Sequence, residues 1–146
     1  KQAVAVHFAG IIHDLGKISI PAEILSSPAK LSEIQMALIR EHPSIGYNIV
    51  KDIAFPWPIA DAIHQHHERL DGSGYPQGLK GEQISPEARI LAVADVVEAM
   101  ASHRPYRPAL GIEMAMAEIT KGRGLIYAAE VVDACLSLIR DKGYKL

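Results

Sequence analysis

The sequence SPEARILAVADVVEAMAS, residues 85–102, carries the longest helical pattern in the chain. Ser85 is a residue type that commonly caps helices, and Pro86 is a type favoured at the first helical position. Outward from this stretch, apolar residues recur with a period near 3.6, and alternating strand patterns are absent. These patterns predict an all-α fold, a single helical-bundle domain of about six to seven helices.

The other helices are predicted between loops that are rich in glycine and proline. Ser32 followed by Gln35 gives a capping-box pattern at the start of one helix. Residues 71–81 contain four glycines and one proline, which excludes regular secondary structure there. The predicted helices span about residues 4–15, 32–41, 43–53, 59–70, 85–102, 112–121 and 128–141.

Length and composition exclude several classes of protein. The 146 residues suffice for one domain, and 15 basic against 17 acidic residues give a net charge of −2. Such a balanced charge argues against binding of a nucleic-acid polymer or a membrane surface. The lone Cys135 excludes a disulfide framework and a multi-thiolate zinc site. No apolar run approaches the roughly 18 residues of a membrane segment, and no signal peptide is visible, so we expect a cytoplasmic protein.

Histidine is unusually frequent, with seven residues in 146, and several of the seven lie near predicted helix ends. His13-Asp14 closes the first predicted helix, His42 precedes a proline, and His66-His67 form a pair. Each position also has a structural explanation, because helix ends are often polar and a single histidine before proline is more often structural. Adjacent side chains on a helix point about 100° apart, so a paired histidine lines one cavity only where that cavity wraps the helix edge.

Asp95 is the one carboxylate inside an apolar run, ILAVADVV at residues 90–97. An ionised carboxylate there is costly unless it is paired or binds a metal, although Asp95 could instead lie on a solvent-facing stripe with Glu98 and Ser102. Together with the histidines it suggests a metal site built from facing helices. Imidazole and carboxylate without thiolate suit Fe, Mn or Zn. Six candidate ligands exceed the need of one tetrahedral ion and favour two or more metals, an arrangement used in phosphoester hydrolysis.

Longer motifs follow one another in order along the chain. They are HDLGK at 13–17, HP at 42–43, HHER at 66–69, DGSGYP at 71–76, GLKG at 78–81, AVAD at 92–95 and RPYR at 104–107. By these motifs the chain resembles the HD-GYP family, the phosphodiesterase branch of the HD superfamily of metal-dependent phosphohydrolases. The Gly-Tyr-Pro element separates this branch from other HD proteins. The resemblance covers about residues 9–140 and implies the helical HD-superfamily fold.

The resemblance also bears on the domain boundary. Family members carry a further histidine ligand on a helix well upstream of the His-Asp pair, whereas only twelve residues precede His13 here. His7 lies on the same predicted helix as His13, about 1.7 turns earlier, and points to a different face, so it is not assigned as that ligand. We therefore expect residues 1–146 to form one HD-GYP domain that lacks its N-terminal helix.

The resemblance implies a metal centre of two or three divalent ions, with Fe or Mn as the expected metals. The implied ligands are His13, Asp14, His42, His66, His67 and Asp95. Asp14 would bridge two ions. Lys17 would hold a phosphate oxygen, which makes Asp14 and Lys17 the expected catalytic residues.

The resemblance assigns substrate contacts to the remaining motifs. Arg104 and Arg107 would clamp phosphates, for which the planar guanidinium is well suited. Tyr75 would either stack on a guanine base or pin its own loop, and the sequence leaves both open. The residues expected to shape this loop are Gly72, Gly74 and Pro76.

The implied function is metal-dependent hydrolysis of cyclic di-GMP to pGpG, GMP or both, in bacterial signal transduction. The implied partners are an upstream sensory or receiver domain and, through the Gly-Tyr-Pro loop, diguanylate cyclase (GGDEF) domains. Two alternatives stay open. The chain could be a degenerate or truncated module that binds nucleotide or a signalling partner without turnover. It could also be a general HD phosphohydrolase acting on other nucleotides, although the Gly-Tyr-Pro segment argues against this.

Overall fold

A computed structural model describes residues 2–102 and 108–144, and over these ranges the chain is all-helical, as predicted. Seven helices of seven or more residues are joined by a single helical turn, α2, and by 3₁₀ turns at Leu15–Ser19 and Gly81–Gln83. The α-helices are α1 Gln2–Ile12, α2 Ala22–Leu25, α3 Glu33–Arg40, α4 His42–Val50, α5 Ile59–Gln65, α6 Pro86–Ala101, α7 Ile112–Gly122 and α8 Ala129–Arg140. Within these residues, no helix combines the length and the apolar character needed to cross a membrane.

Helix α6 is the element around which the core is built. The Ser85 hydroxyl accepts a hydrogen bond from the amide of Ala88, which caps the helix as the sequence predicts. Leu91 on one face belongs to a cluster with α1 and α5, and Val93 and Val97 belong to a second cluster with α7 and α8. Helix α6 therefore contributes one face to each of the two clusters of the core.

Three helices end earlier than the periodicity predicts: α1 at residue 12 instead of 15, α4 at residue 50 instead of 53 and α5 at residue 65 instead of 70. In α1 and α5, a histidine side chain takes the place of a backbone amide. His13 Nδ1 lies 2.7 Å from the carbonyl oxygen of Gly10, and His66 Nδ1 lies 2.6 Å from that of Ile63. The prediction that the histidine pair lies inside a helix is therefore wrong, since His66 and His67 occupy the turn that follows α5.

The loop at residues 71–81 folds back onto the turn after α5. An isolated β-bridge between Asp71 and Lys80 closes its base. At Gly74 an added Cβ would lie 2.4–2.5 Å from backbone atoms of residues 67–69, so only glycine permits this approach. The Gly-Tyr-Pro segment is thereby held directly against the histidine pair.

Candidate metal centre

The structure brings all six predicted ligand residues into one cluster. His42 Nε2 lies 3.3 Å from His66 Nε2 and 3.3 Å from Asp14 Oδ1. His13 Nε2 lies 3.5 Å from an oxygen of Asp95. Four segments supply these side chains: the end of α1, the start of α4, the turn after α5 and the middle of α6. Two overlapping groups have ligand atoms within 4.8 Å of one another: His42 with His66 and His67, and His13 with Asp14 and His66.

Backbone carbonyls fix the tautomer of three of these histidines. His13, His42 and His66 each place Nδ1 2.6–2.7 Å from the carbonyl oxygen of the residue three positions earlier. Because a carbonyl oxygen only accepts hydrogen bonds, Nδ1 carries the proton and donates it. In the neutral ring, Nε2 is then unprotonated and directs its lone pair into the cluster. An unprotonated ring nitrogen is the form of histidine that binds metals.

The Nε2 atoms facing one another suit a cation. Two neutral acceptors 3.3 Å apart, as in His42 and His66, repel each other unless a proton or a metal ion lies between them. His13 Nε2 is buried and makes no hydrogen bond to any described residue. Buried polar atoms are normally paired, so an unpaired ring nitrogen beside two carboxylates is suited to binding a cation. The residues present therefore fit the divalent metals that the sequence predicts.

The charges in the cluster leave both carboxylates ionised. Burial raises the pKa of Asp14, but the neighbouring His42 and Lys17 outweigh it and hold that pKa well below its usual range. Lys17 Nζ lies 2.6 Å from Asp14 Oδ2. Burial likewise raises the pKa of Asp95, yet His13 and His67 bring the net pKa below the ordinary value.

The pKa values of the imidazole rings are shifted in two directions. Burial, together with the neighbouring His13 and His42, lowers the pKa of His66 to about 4. Burial and the charge of His66 lower the pKa of His67 as well. Burial also lowers the pKa of His13, but the nearby carboxylates of Asp95 and Asp14 outweigh it, so the net pKa is raised. Most of the cluster is thus in the deprotonated form that ligation requires.

Tyr75 of the Gly-Tyr-Pro loop packs against this cluster. Its ring stacks on His67, with centroids 4.8 Å apart and an interplanar angle of 19°. The guanidinium of Arg40 lies 5.7 Å from the same ring. Burial raises the pKa of the Tyr75 hydroxyl to about 12. The contact with His67 favours the interpretation in which Tyr75 pins the loop, and guanine stacking stays a prediction.

Other residues singled out in the sequence lie apart from the cluster or outside the described residues. His64 stacks on Tyr47 and lies 3.3 Å from the Ser44 hydroxyl, away from the two ligand groups. Arg104 and Arg107, predicted to clamp phosphates, lie outside the described residues.

Sequence reasoning missed two residues beside the centre, Arg40 and Glu68. Glu68 directly follows the histidine pair, yet its side chain is only 1% exposed. A charged residue within a motif is usually expected at the surface, so only its position between the His pair and the glycine-rich loop could have signalled a role. Arg40, two residues before His42, carried no comparable signal.

Comparisons with known proteins agree with the fold and with the chemistry of the site. Residues 1–131 match the family described as HD domain. The chain is 44% identical over 133 residues to the cyclic di-GMP phosphodiesterase response regulator RpfG of Xanthomonas campestris pv. campestris, covering 90% of this chain and 35% of that protein. It is 38% identical over 112 residues to the 3'3'-cGAMP-specific phosphodiesterase 1 of Vibrio cholerae, covering 77% of this chain and 26% of that protein.

A solved structure shows the same fold. An HDG"Y"P protein from Bdellovibrio bacteriovorus superposes with a TM-score of 0.73 at 19% identity, over 93% of this chain and 43% of that chain. At that identity the likeness concerns the fold alone. The chain thus spans about a third of the length of the Xanthomonas relative, about a quarter of the Vibrio relative and less than half of this structural neighbour.

Proposed function

We propose that this chain, which belongs to the HD domain family, is the catalytic domain of a metal-dependent phosphodiesterase that hydrolyses cyclic di-GMP. The family match confirms the membership predicted from the His-Asp motif, and RpfG is named for the same activity. The observation that carries the proposal is the cluster of four imidazole rings and two ionised carboxylates, in which the Nε2 atoms of His42 and His66 lie 3.3 Å apart. The expected products are pGpG, GMP or both.

Different residues of the chain would have separate roles in such a reaction. The proposed ligands of two or three ions of Fe or Mn are His13, Asp14, His42, His66, His67 and Asp95. Bound divalent cations would activate water and stabilise the charge that develops at phosphorus. Lys17, whose ammonium lies beside Asp14, would hold a phosphate oxygen, and Arg104 and Arg107 would clamp the phosphates.

A second substrate is favoured by one specific comparison. The relative from Vibrio cholerae is named as specific for 3'3'-cGAMP, which, like cyclic di-GMP, is a cyclic dinucleotide with two phosphodiester bonds. Because the two dinucleotides share the phosphodiester group on which the metal ions would act, the cluster would act on either one. Which base is accepted would depend on residues around the cluster, among them Tyr75 and Arg40.

The proposal also covers the cellular setting. We infer a bacterial cytoplasmic signalling protein in which residues 1–146 form one HD-GYP domain preceded by a sensory or receiver domain; the name response regulator of the Xanthomonas relative supports this. Diguanylate cyclase domains would dock at the Gly-Tyr-Pro loop, where Pro76 and Gln77 are exposed. Pull-down of a purified diguanylate cyclase domain by wild type, and its loss on Gln77→Glu, would support that docking.

The central experiment measures metal content and turnover together. Protein purified without oxygen should contain about two ions per chain, and with Mn²⁺ or Fe²⁺ it should convert cyclic di-GMP to pGpG or GMP. Asp14→Ala should lose both properties. His64→Ala is the matched control, because His64 lies on the adjoining helix but packs on Tyr47, and it should keep both.

Two outcomes would overturn the proposal. One is the absence of turnover of either dinucleotide by metal-loaded protein, including a chain extended at its N-terminus by a further helix that carries a histidine. The other is an Asp14→Ala protein with full activity. Metal and nucleotide binding without turnover would instead support the non-catalytic module.

A further inference from the structure

Glu68 is a buried carboxylate whose hydrogen bonds go to the backbone of the Gly-Tyr-Pro loop. Its two oxygens accept from the amides of Gln77, at 2.7 Å, and Leu79, at 2.9 Å. Burying an ionised carboxylate is costly unless hydrogen bonds compensate it, and bonds from two amides to one carboxylate are of the strong, charge-assisted kind. The Glu68 carboxylate therefore anchors the loop immediately after Pro76.

The anchored loop in turn contacts the metal cluster. The amide of Tyr75 donates to the carbonyl oxygen of His67 at 3.2 Å, and the Tyr75 ring stacks on the His67 ring. Glu68 follows His67 directly in the chain. The Glu68 side chain thus holds the Gly-Tyr-Pro loop, and the Tyr75 ring of that loop packs on His67.

His67 differs from the other histidines of the cluster in how its ring is held. His13, His42 and His66 each donate Nδ1–H to a carbonyl of the preceding helix, and no such hydrogen bond is found for His67 among residues 2–102 and 108–144. Metal-binding histidines are normally oriented by a second partner of the ring. Among the described residues, the rings of His42 and His66 within the cluster contact His67, and the ring that packs on it from outside the cluster is that of Tyr75.

We propose that Glu68 is a positioning residue that sets the orientation of His67 for metal binding, acting through Tyr75 and the Gly-Tyr-Pro loop. The proposal rests on the proposed function only in requiring that the cluster binds a divalent metal. It gives the Gly-Tyr-Pro loop a role within the metal centre itself.

Glu68→Gln is the most specific variant with which to test this. Glutamine keeps the size of the side chain, but its amide nitrogen would face a backbone N–H of Gln77 or Leu79, so one anchor is lost. Because losing a partner that orients a metal-binding histidine typically costs 10–100-fold in metal affinity, we expect Mn²⁺ to bind about tenfold more weakly. Isothermal titration of purified protein with Mn²⁺ measures this without any turnover.

A double-mutant cycle separates positioning from general loop stability. Tyr75→Ala should weaken Mn²⁺ binding to a similar extent, and adding Glu68→Gln to it should cause little further loss, because both act through one ring. Tyr75→Phe keeps the ring and should keep the affinity. Arg89→Met is the matched control, since Arg89 anchors the far end of the same loop at the carbonyls of Gly81 and Ile84. It should lower the melting temperature and leave Mn²⁺ affinity unchanged.

The outcomes distinguish this proposal from the proposed function. If wild type binds Mn²⁺ and Glu68→Gln binds it equally well, the positioning role is overturned and the phosphodiesterase proposal stands. Losses that multiply in the double variant, or an equal loss in Arg89→Met, would also overturn it. If Glu68→Gln does not fold, the comparison of Tyr75→Ala with Tyr75→Phe decides. Equal Mn²⁺ affinities of these two variants would exclude a role for the Tyr75 ring in orienting His67 and would overturn the proposal. Wild type that binds neither Mn²⁺ nor Fe²⁺ would overturn both proposals.

Discussion

Gly16→Ala is expected to separate two segments that together build the metal cluster. Gly16 lies in the 3₁₀ turn after α1 and packs on the start of α4. A Cβ at this position would lie 1.9 Å from the carbonyl oxygen of His42 and 2.7 Å from the amide nitrogen of Gly46. Both are backbone atoms, so no side chain can rotate out of the way. Restoring an ordinary contact of 3.4–4 Å requires the segments to move apart by more than an ångström.

The size of the effect follows from that geometry. Overpacking of a buried site costs about 1–3 kcal/mol, and a clash between backbone segments belongs at the upper end, about 3 kcal/mol. The same movement pulls Asp14 and Lys17 away from His42, where the ligand atoms of Asp14 and His42 are now 3.3 Å apart. We therefore expect Mn²⁺ affinity to fall by at least about tenfold together with stability.

Gly10→Ala is the control for this prediction. Gly10 lies inside α1, and a Cβ there would meet only Leu91 Cδ2, at an ordinary 3.5 Å. Alanine favours a helix over glycine by about 0.5–1 kcal/mol, so this variant should be at least as stable as wild type and bind Mn²⁺ equally well. Denaturant unfolding and Mn²⁺ titration measure both quantities. The reasoning is refuted if Gly16→Ala is as stable as wild type, or if it is destabilised without losing Mn²⁺ affinity.

Three further variants test separate parts of the molecule. Ser32→Ala removes the capping box with Gln35 and should lower the free energy of unfolding, measured by circular dichroism, by about 1 kcal/mol. Mn²⁺ affinity should stay unchanged, and a change in it would mean that this cap also supports the site. Lys17→Ala should lower kcat by about 10²–10³-fold while metal content by elemental analysis stays at the wild-type level, and an unaltered kcat would remove Lys17 from the reaction. Arg104→Ala should weaken binding of cyclic di-GMP more than binding of Mn²⁺ in parallel titrations, whereas equal losses would contradict the clamp.

Local patterns predicted the helices well where a cap or a breaker marks the end. The capping box of Ser32 and Gln35 is present, and α6 has the predicted Ser85 cap and ends one residue before the predicted limit. The ends of α1 and α5 were predicted three and five residues too late because apolar periodicity continues through them. A histidine side chain competes there for the last carbonyls, and that competition depends on where the ring must point in the folded chain.

The members of the site were predictable, but their arrangement was not. Clustering of histidine and aspartate near helix ends identified the six candidate ligands, which the structure brings together. Only the fold shows that Asp95 of α6 faces His13 of α1, because the two are 82 positions apart in sequence. The role of Glu68 was not predicted for a related reason. Its carboxylate accepts hydrogen bonds from amides 9 and 11 residues later in the chain, and such contacts produce no periodic pattern in the sequence.

The electrostatics of the cluster explain why the proposed phosphate contacts would fall to residues at its rim. Helices α1 and α5 both end at the cluster, and the C-terminus of a helix carries up to about half a negative charge. The ionised carboxylates of Asp14 and Asp95 add to this field, so the bare cluster attracts cations and repels a phosphodiester. An anionic substrate therefore needs positive charge supplied from the edge. Lys17 is so placed, because its ammonium pairs with Asp14 while its side chain stays one-third exposed. The same lysine thus offsets the acidic field and stays accessible to a phosphate oxygen.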